Sequence, residues 1–325
     1  MKIFKEHPAL ALFIVAPIFG ELFSGSLPLN EFINPIAFSI MAMLYGCGAI
    51  IARELTIRWK KGWFSLLLLG FAYGIFEEGI MVRSFFDPNW MDLGSLGVYG
   101  RVADVNWVWS YHLTIYHALV SIVASIVFVE MLYPAQRDQS WVTSRKWWRT
   151  NWVLLLLTLL LGKLLSPYDA PDHWILLSWI SILLLMGLAR FAPDLNLPPL
   201  NKPLPRPRRF FLLAFFGTFF HHILIYMGAD EGAYPFTTAL LLTAFFDLFI
   251  LWLTLRWSGN FAKWDDRHRM AFISGILVFF LAISPLTIGT EYPILYFSNP
   301  IFVIFLWLIY RKIKKRLENE TVSHE

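Results

Sequence analysis

This chain of 325 residues is poor in charge and has almost no cysteine. Asp, Glu, Lys and Arg make up 15% of it, where a soluble domain carries about 25%. A single cysteine, Cys47, excludes an internal disulfide and a thiolate metal cluster. No HExxH zinc signature occurs. No GxSxG elbow lies on an apolar segment, because GSLG at 94–97 falls in a loop. GAD at 228–230 is not the GxGD of intramembrane aspartyl proteases. No internal repeat is evident, which argues against a repeat-built transporter.

What fills the chain is apolar. It is 57% hydrophobic and 18% aromatic, with a mean hydropathy of +0.56. Runs of the ~20 residues that cross a bilayer recur along its length. Ten spans are expected, at 8–26, 33–53, 62–84, 107–131, 149–166, 173–190, 209–228, 234–256, 269–288 and 294–311. The first could be a signal peptide behind Lys2 and Lys5, but no small-x-small cleavage site follows and Glu21 lies within it, so a retained span is expected. The fold class is therefore all-α, a polytopic integral membrane bundle with both termini cytoplasmic.

The basic residues support this topology. Of 27 Lys and Arg, all but Arg83, Arg101 and Lys163 fall on segments that the alternation places inside. That bias follows the positive-inside rule. The net charge of +4 is then a topology signal, with the lipid bilayer as partner and no nucleic acid. Trp59, Trp63, Trp107, Trp109, Trp147, Trp148 and Trp257 lie near span ends, as an aromatic belt does. Four regions follow: a six-span part (1–191), a Pro-rich basic linker (192–208), a four-span part (209–312) and a polar cytoplasmic tail (313–325). The linker reads as an extended spacer.

Against that background, Glu77 and Glu78 stand in LLLLGFAYGIFEEGIMVRSFF, with Arg83 shortly after. A charged side chain in hydrocarbon costs roughly 2.5–3.5 kcal/mol on insertion scales, so such residues default to function. Ion pairing with Arg83 is the alternative. Neighbours on a helix point about 100° apart, so one of the pair is expected to face a given point. At about 1.5 Å per residue, Glu77 and Glu78 lie roughly 6–8 Å below the outer surface of a ~30 Å core. His112 lies about 8 Å and His117 about 15 Å in from that side; His221 and His222 fall roughly 10–12 Å below it. Glu21 shares this layer, and Asp247 is near the middle. His112 and His117 are about 140° apart and do not form one face. Glu21 beside Pro17 could instead cap a kink. Gly70 and Gly74 are spaced for close helix packing.

The loop at 84–106 is Gly-rich and apolar, and reads either as a lid or as a re-entrant plug. Its Asp87, Asp92 and Asp104 could bind a cation, at a spacing unlike an EF-hand.

FEEGIMVRSFF resembles the first motif of the CAAX prenyl endopeptidase and bacteriocin-processing (CPBP) membrane proteases, a Glu-Glu pair followed by Arg. It is also similar to the Glu-Glu motif of the PrsW-type proteases. CPBP spacing has three residues before Arg, where Glu78 and Arg83 are separated by four. Phe-x-x-x-His appears as Leu113 and His117, and His-x-x-x-Asn is absent after His221 and His222. The resemblance implies an intramembrane glutamic-type peptidase without cofactor, acting on a membrane-bound peptide. Glu77 or Glu78 would activate water, His112, His117, His221 and His222 would complete the site, and Arg83, Glu21 and Asp247 would support it. A proton- or ion-coupled transporter using the same layer is the alternative.

Overall fold

The computed structural model describes residues 7–166, 168–195, 197–201 and 203–322. Lys2, Lys5 and Lys202, counted above in the charge bias, lie outside them. Ten main helices follow in order: α1 (Pro8–Leu22), α2 (Pro35–Arg58), α3 (Trp63–Met81), α4 (Trp107–Leu132), α5 (Arg145–Leu165), α6 (Asp172–Phe191), α7 (Pro207–Asp230), α8 (Phe236–Ser258), α9 (Asp266–Ile288) and α10 (Leu295–Val322). Seven of them, α2–α4 and α6–α9, are long and apolar enough to cross a membrane. The other three occupy the remaining expected positions with different lengths. At 1.5 Å per residue α1 spans only about 22 Å, and it ends beside Glu21 instead of at 26. α5 carries Arg145, Lys146 and Arg149 in its first turns. α10 runs through the expected polar tail to Val322. There the i,i+4 pairs Lys314–Glu318 and Arg316–Glu320 brace its polar end.

The burial pattern is that of a membrane bundle. α3 and α4 are the most buried spans, while α6, α7 and α8 bury only a minor share of their residues. Leu183 and Leu184 on α6, and Leu241, Phe245 and Leu248 on α8, are all more than 60% exposed. Apolar surface of that kind is stable only against lipid. α1 to α4 form the centre, α5 and α6 pack outside α2 and α3, and α7 and α10 flank α9.

Close approach of α3 to α4 rests on Gly70. A Cβ there would sit 2.9 Å from the Ala118 Cα. Gly70→Leu is therefore expected to push the two central helices apart and cost ~1–3 kcal/mol as overpacking, read as a lower thermal midpoint in detergent. An unchanged midpoint would contradict this packing.

At one end of the bundle the basic residues do more than face lipid. Arg53, 1% exposed, bonds Glu130 at 3.1 Å and the carbonyls of Arg137 and Gln139 at 2.6 and 3.0 Å, with its guanidinium 3.3 Å from the Trp141 ring centre. Glu54 beside it accepts from the Trp141 N–H at 2.7 Å. Asp266 at the start of α9 receives Arg137 and Arg316, each at 2.7 Å. The Pro-rich linker is strapped across this end and is not a free spacer: Lys61 Nζ donates to the Ala192 carbonyl at 2.8 Å and Asn260 Nδ2 to that of Pro198 at 2.6 Å.

The opposite end is closed by residues 84–106. A short antiparallel hairpin pairs Arg101 with Asn106 and Val102 with Val105. Its turn residues Ala103 and Asp104 both have positive φ, 52° and 64°, the type I′ pattern that matches strand twist. Phe85, Phe86, Leu93, Leu96 and Val105 cluster with Val108, Trp109 and Ile225. Arg101 stitches the loop by donating to the Phe86 carbonyl at 2.8 Å. The segment is a packed cap, with its apolar side turned onto α4 and α7. Its three aspartates do not gather: Asp87 accepts from the Asn89 N–H at 2.8 Å in a local turn.

Candidate active site

The centre of the bundle holds one imidazole between two carboxylates. His117 Nε2 lies 2.8 Å from Glu78 Oε1, and His117 Nδ1 lies 3.1 Å from Glu77 Oε2. All three side chains are buried, at 3% for His117, 3% for Glu77 and 7% for Glu78. Both glutamates thus reach His117, where the helical angle led us to expect one. The imidazole presents nitrogens on two sides, so neighbours pointing apart can each find one. Ser121, one turn on, lies 3.1 Å from Nδ1.

The network extends both ways from this trio. Tyr45 Oη contacts Glu77 Oε1 and Glu21 Oε1 together. A phenol has one proton to donate, so one of these two carboxyl groups must supply the other. Glu21 therefore belongs to the site and does not merely cap a kink. On the far side, Ser84 Oγ donates to Glu78 Oε2 and accepts from Trp109 Nε1 at 3.0 Å. Trp109, expected in an aromatic belt, is 5% exposed and serves the site.

Local backbone explains how these groups meet. π-helix occurs at Ile18–Leu22, Ala42–Gly46, Phe76–Met81 and His117–Ala124. These four segments carry Glu21, Tyr45, Glu77 with Glu78, and His117 with Ser121. A wide turn breaks the ordinary i→i−4 ladder and re-aims side chains, and π-bulges gather at functional sites for that reason. Pro17 stands immediately before the first of them. Close approach also needs Gly48, where a Cβ would lie 2.2 Å from the Tyr73 ring.

The remaining histidines form a second cluster. His221 Nδ1 is 3.0 Å from both oxygens of Asp247, which also accepts from Tyr111 Oη at 2.7 Å. His221 Nε2 lies 3.0 Å from His112 Nδ1. With Asp247 as a carboxylate, Nδ1 of His221 must donate. In neutral His221, Nε2 then accepts from His112 Nδ1–H, leaving His112 Nε2 with its lone pair. His222 Nδ1 donates to the Thr218 carbonyl at 2.8 Å, and its ring meets that of His112 edge-on at 4.9 Å.

So the expected site residues divide. Glu21, Glu77, Glu78 and His117 meet in one network; His112, His221, His222 and Asp247 meet in another, and α4 carries one histidine into each. Arg83 joins neither. Its φ is 62° and it donates to the carbonyls of Tyr168 at 2.8 Å and Ser166 at 3.4 Å, closing the end of α5. The alternative, an ion pair between Arg83 and the glutamates, does not form, because this left-handed turn sends the guanidinium to α5. His117, counted as deeper than the glutamates, touches them. Rise per residue gives a common depth only for helices that start at one level, and α3 ends early, in a π-helical turn at Met81. Tyr45, Ser84 and Ser121 were not singled out in the sequence, since none is unusual by type or spacing, and Trp109 was named only as part of an aromatic belt.

Fold and site together define a multi-pass α-helical membrane protein with a buried carboxylate–imidazole centre. The chain belongs to an uncharacterized membrane protein family, whose sequence model matches residues 10–283. No curated protein and no solved structure matches it.

Proposed function

We propose that the protein is an intramembrane peptidase of the glutamic type, acting on a membrane-bound peptide. The observation that carries this reading is the 2.8 Å contact of Glu78 with His117 in a buried helical interior. A carboxylate so placed can take a proton from water as the oxygen adds to a peptide carbonyl. It then returns that proton to the departing amine as the C–N bond breaks. His117 orients the carboxylate. The likeness of the Glu-Glu segment to the CPBP and PrsW-type proteases supports the same reading. In this proposal all ten helices span the membrane, both termini are cytoplasmic and the site lies in the outer half; the basic bias and the gathering of Arg53, Arg137 and Arg316 at one end support that orientation.

A proton- or ion-coupled carrier is the second reading. It is favoured by Tyr45, which bridges Glu21 and Glu77 and so forms a ready proton path. One variant separates the two. With the full chain in vesicles, Glu78→Gln is expected to reduce peptide cleavage by about 10²–10⁴-fold, the usual worth of a general base, and to leave proton flux at the level of empty vesicles, as in the wild type. Wild-type flux above empty vesicles that Glu78→Gln abolishes, with no cleavage by either protein, would replace the peptidase with the carrier.

A further inference from the structure

We infer that Glu77, Glu78 and His117 form a binding site for one divalent transition cation of the zinc or manganese class. One ligand atom from each of the three lies within 4.8 Å of the others, and all three residues are buried. Two carboxylate oxygens and one imidazole nitrogen are the donor set that suits such ions.

Charge balance leaves room for a cation. Even with one proton shared across Tyr45, two carboxylates face a single imidazole. Among the described residues no Lys or Arg joins the network, and Arg83 is spent on backbone carbonyls. A buried carboxylate left without a proton or a cation costs several kcal/mol in a low-dielectric interior. A divalent ion offsets that cost and is itself held by it.

Unused polar atoms supply an independent observation. Glu77 Oε2 makes no hydrogen bond, because its 3.1 Å approach to His117 Nδ1 is a contact without hydrogen-bond geometry. The Tyr73 hydroxyl, on a residue 6% exposed, lies against Glu77 without a well-aligned hydrogen bond. Its ring lies 6.3 Å from His117 and 6.1 Å from Tyr45, which sets the phenol against the same trio. Buried polar atoms are satisfied in the great majority of native structures. A coordinated ion accounts for the open carboxylate oxygen directly.

The inference goes beyond the peptidase reading and stands without it, since a carrier could hold the same ion. The test uses the purified full chain in detergent, stripped by chelator and titrated with Zn²⁺. The wild type is expected to take up one equivalent by calorimetry and elemental analysis, and its thermal midpoint is expected to rise with Zn²⁺ to saturation. His117→Ala and Glu77→Gln/Glu78→Gln should lose that equivalent. His221→Ala, in the other cluster, should keep it. A wild type that binds no stoichiometric Zn²⁺ or Mn²⁺ and shows no shift in midpoint overturns the inference, as does equal loss in His221→Ala. Because wild-type uptake and midpoint are read directly, a variant that fails to fold does not shelter the proposal. Peptide cleavage that persists in chelator, with no metal bound, would remove the ion and leave the peptidase reading intact.

Discussion

His117→Ala is expected to be the most damaging single substitution in the membrane interior. It removes the one imidazole that faces Glu77 and Glu78 at 3.1 and 2.8 Å. The two carboxyl groups stay behind, 3% and 7% exposed. Breaking a buried charged pair by deleting one partner typically costs ~3–5 kcal/mol, because the survivor is left uncompensated. Ser121 also loses its ring contact. Lower yield and a markedly lower thermal midpoint should follow, together with loss of any activity that uses Glu78. Adding Glu77→Gln and Glu78→Gln to His117→Ala should recover part of the stability and none of the activity. That double readout separates the charge argument from simple loss of packing, which neutralising the glutamates would not repair. A single variant as stable as the wild type would show that the three groups do not share charge as described.

The second large effect is expected far from that site. Arg53→Ala takes away a guanidinium that is 1% exposed, bonds Glu130 and the 136–139 backbone, and stacks on Trp141. Glu130 and several carbonyls then lose their donor at once, which again places the cost at ~3–5 kcal/mol. Arg53→Lys keeps the charge but not the planar fork, so it should restore only part of the loss. Arg145→Ala, at an exposed basic position on the start of α5, is expected to stay within about 0.5 kcal/mol of the wild type. Thermal midpoints of the three variants in one detergent check the ranking. Equal effects for Arg53→Ala and Arg145→Ala would reduce Arg53 to the topology signal read from the sequence.

That contrast marks where sequence reading stops. The bundle was legible because lipid exposure imposes long apolar runs, and helices lie where runs were expected, seven of them long and apolar enough to cross a membrane. Their ends were less so. The first helix, which hydropathy alone carries to 26, ends at Leu22, ahead of Gly25 with its positive φ, and the ion pairs Lys314–Glu318 and Arg316–Glu320 lie on the last one past its polar boundary. Arg53 and Glu54 look like an ordinary basic flank until the 134–141 segment folds over them. Glu77 and Glu78 were visible as charges in an apolar run. Their partner was less so, because His112 and His117 are equivalent in type, and only the π-helical turns assign one to each cluster. A π turn is a hydrogen-bond register with no fixed residue signature. Tyr45 was invisible for the same reason: its role is set by which groups surround its hydroxyl.

As proposed, Glu78, held by His117, activates water against a peptide bond. Cleavage of a membrane-anchored peptide by the reconstituted full chain in ¹⁸O-labelled water tests it most directly, with products read by mass spectrometry. The wild type is expected to place one labelled oxygen in each new C-terminal carboxylate, and Glu78→Gln to yield such product about 10²–10⁴-fold more slowly. Labelled product formed at the wild-type rate by Glu78→Gln, or no cleavage by the wild type, would contradict the account.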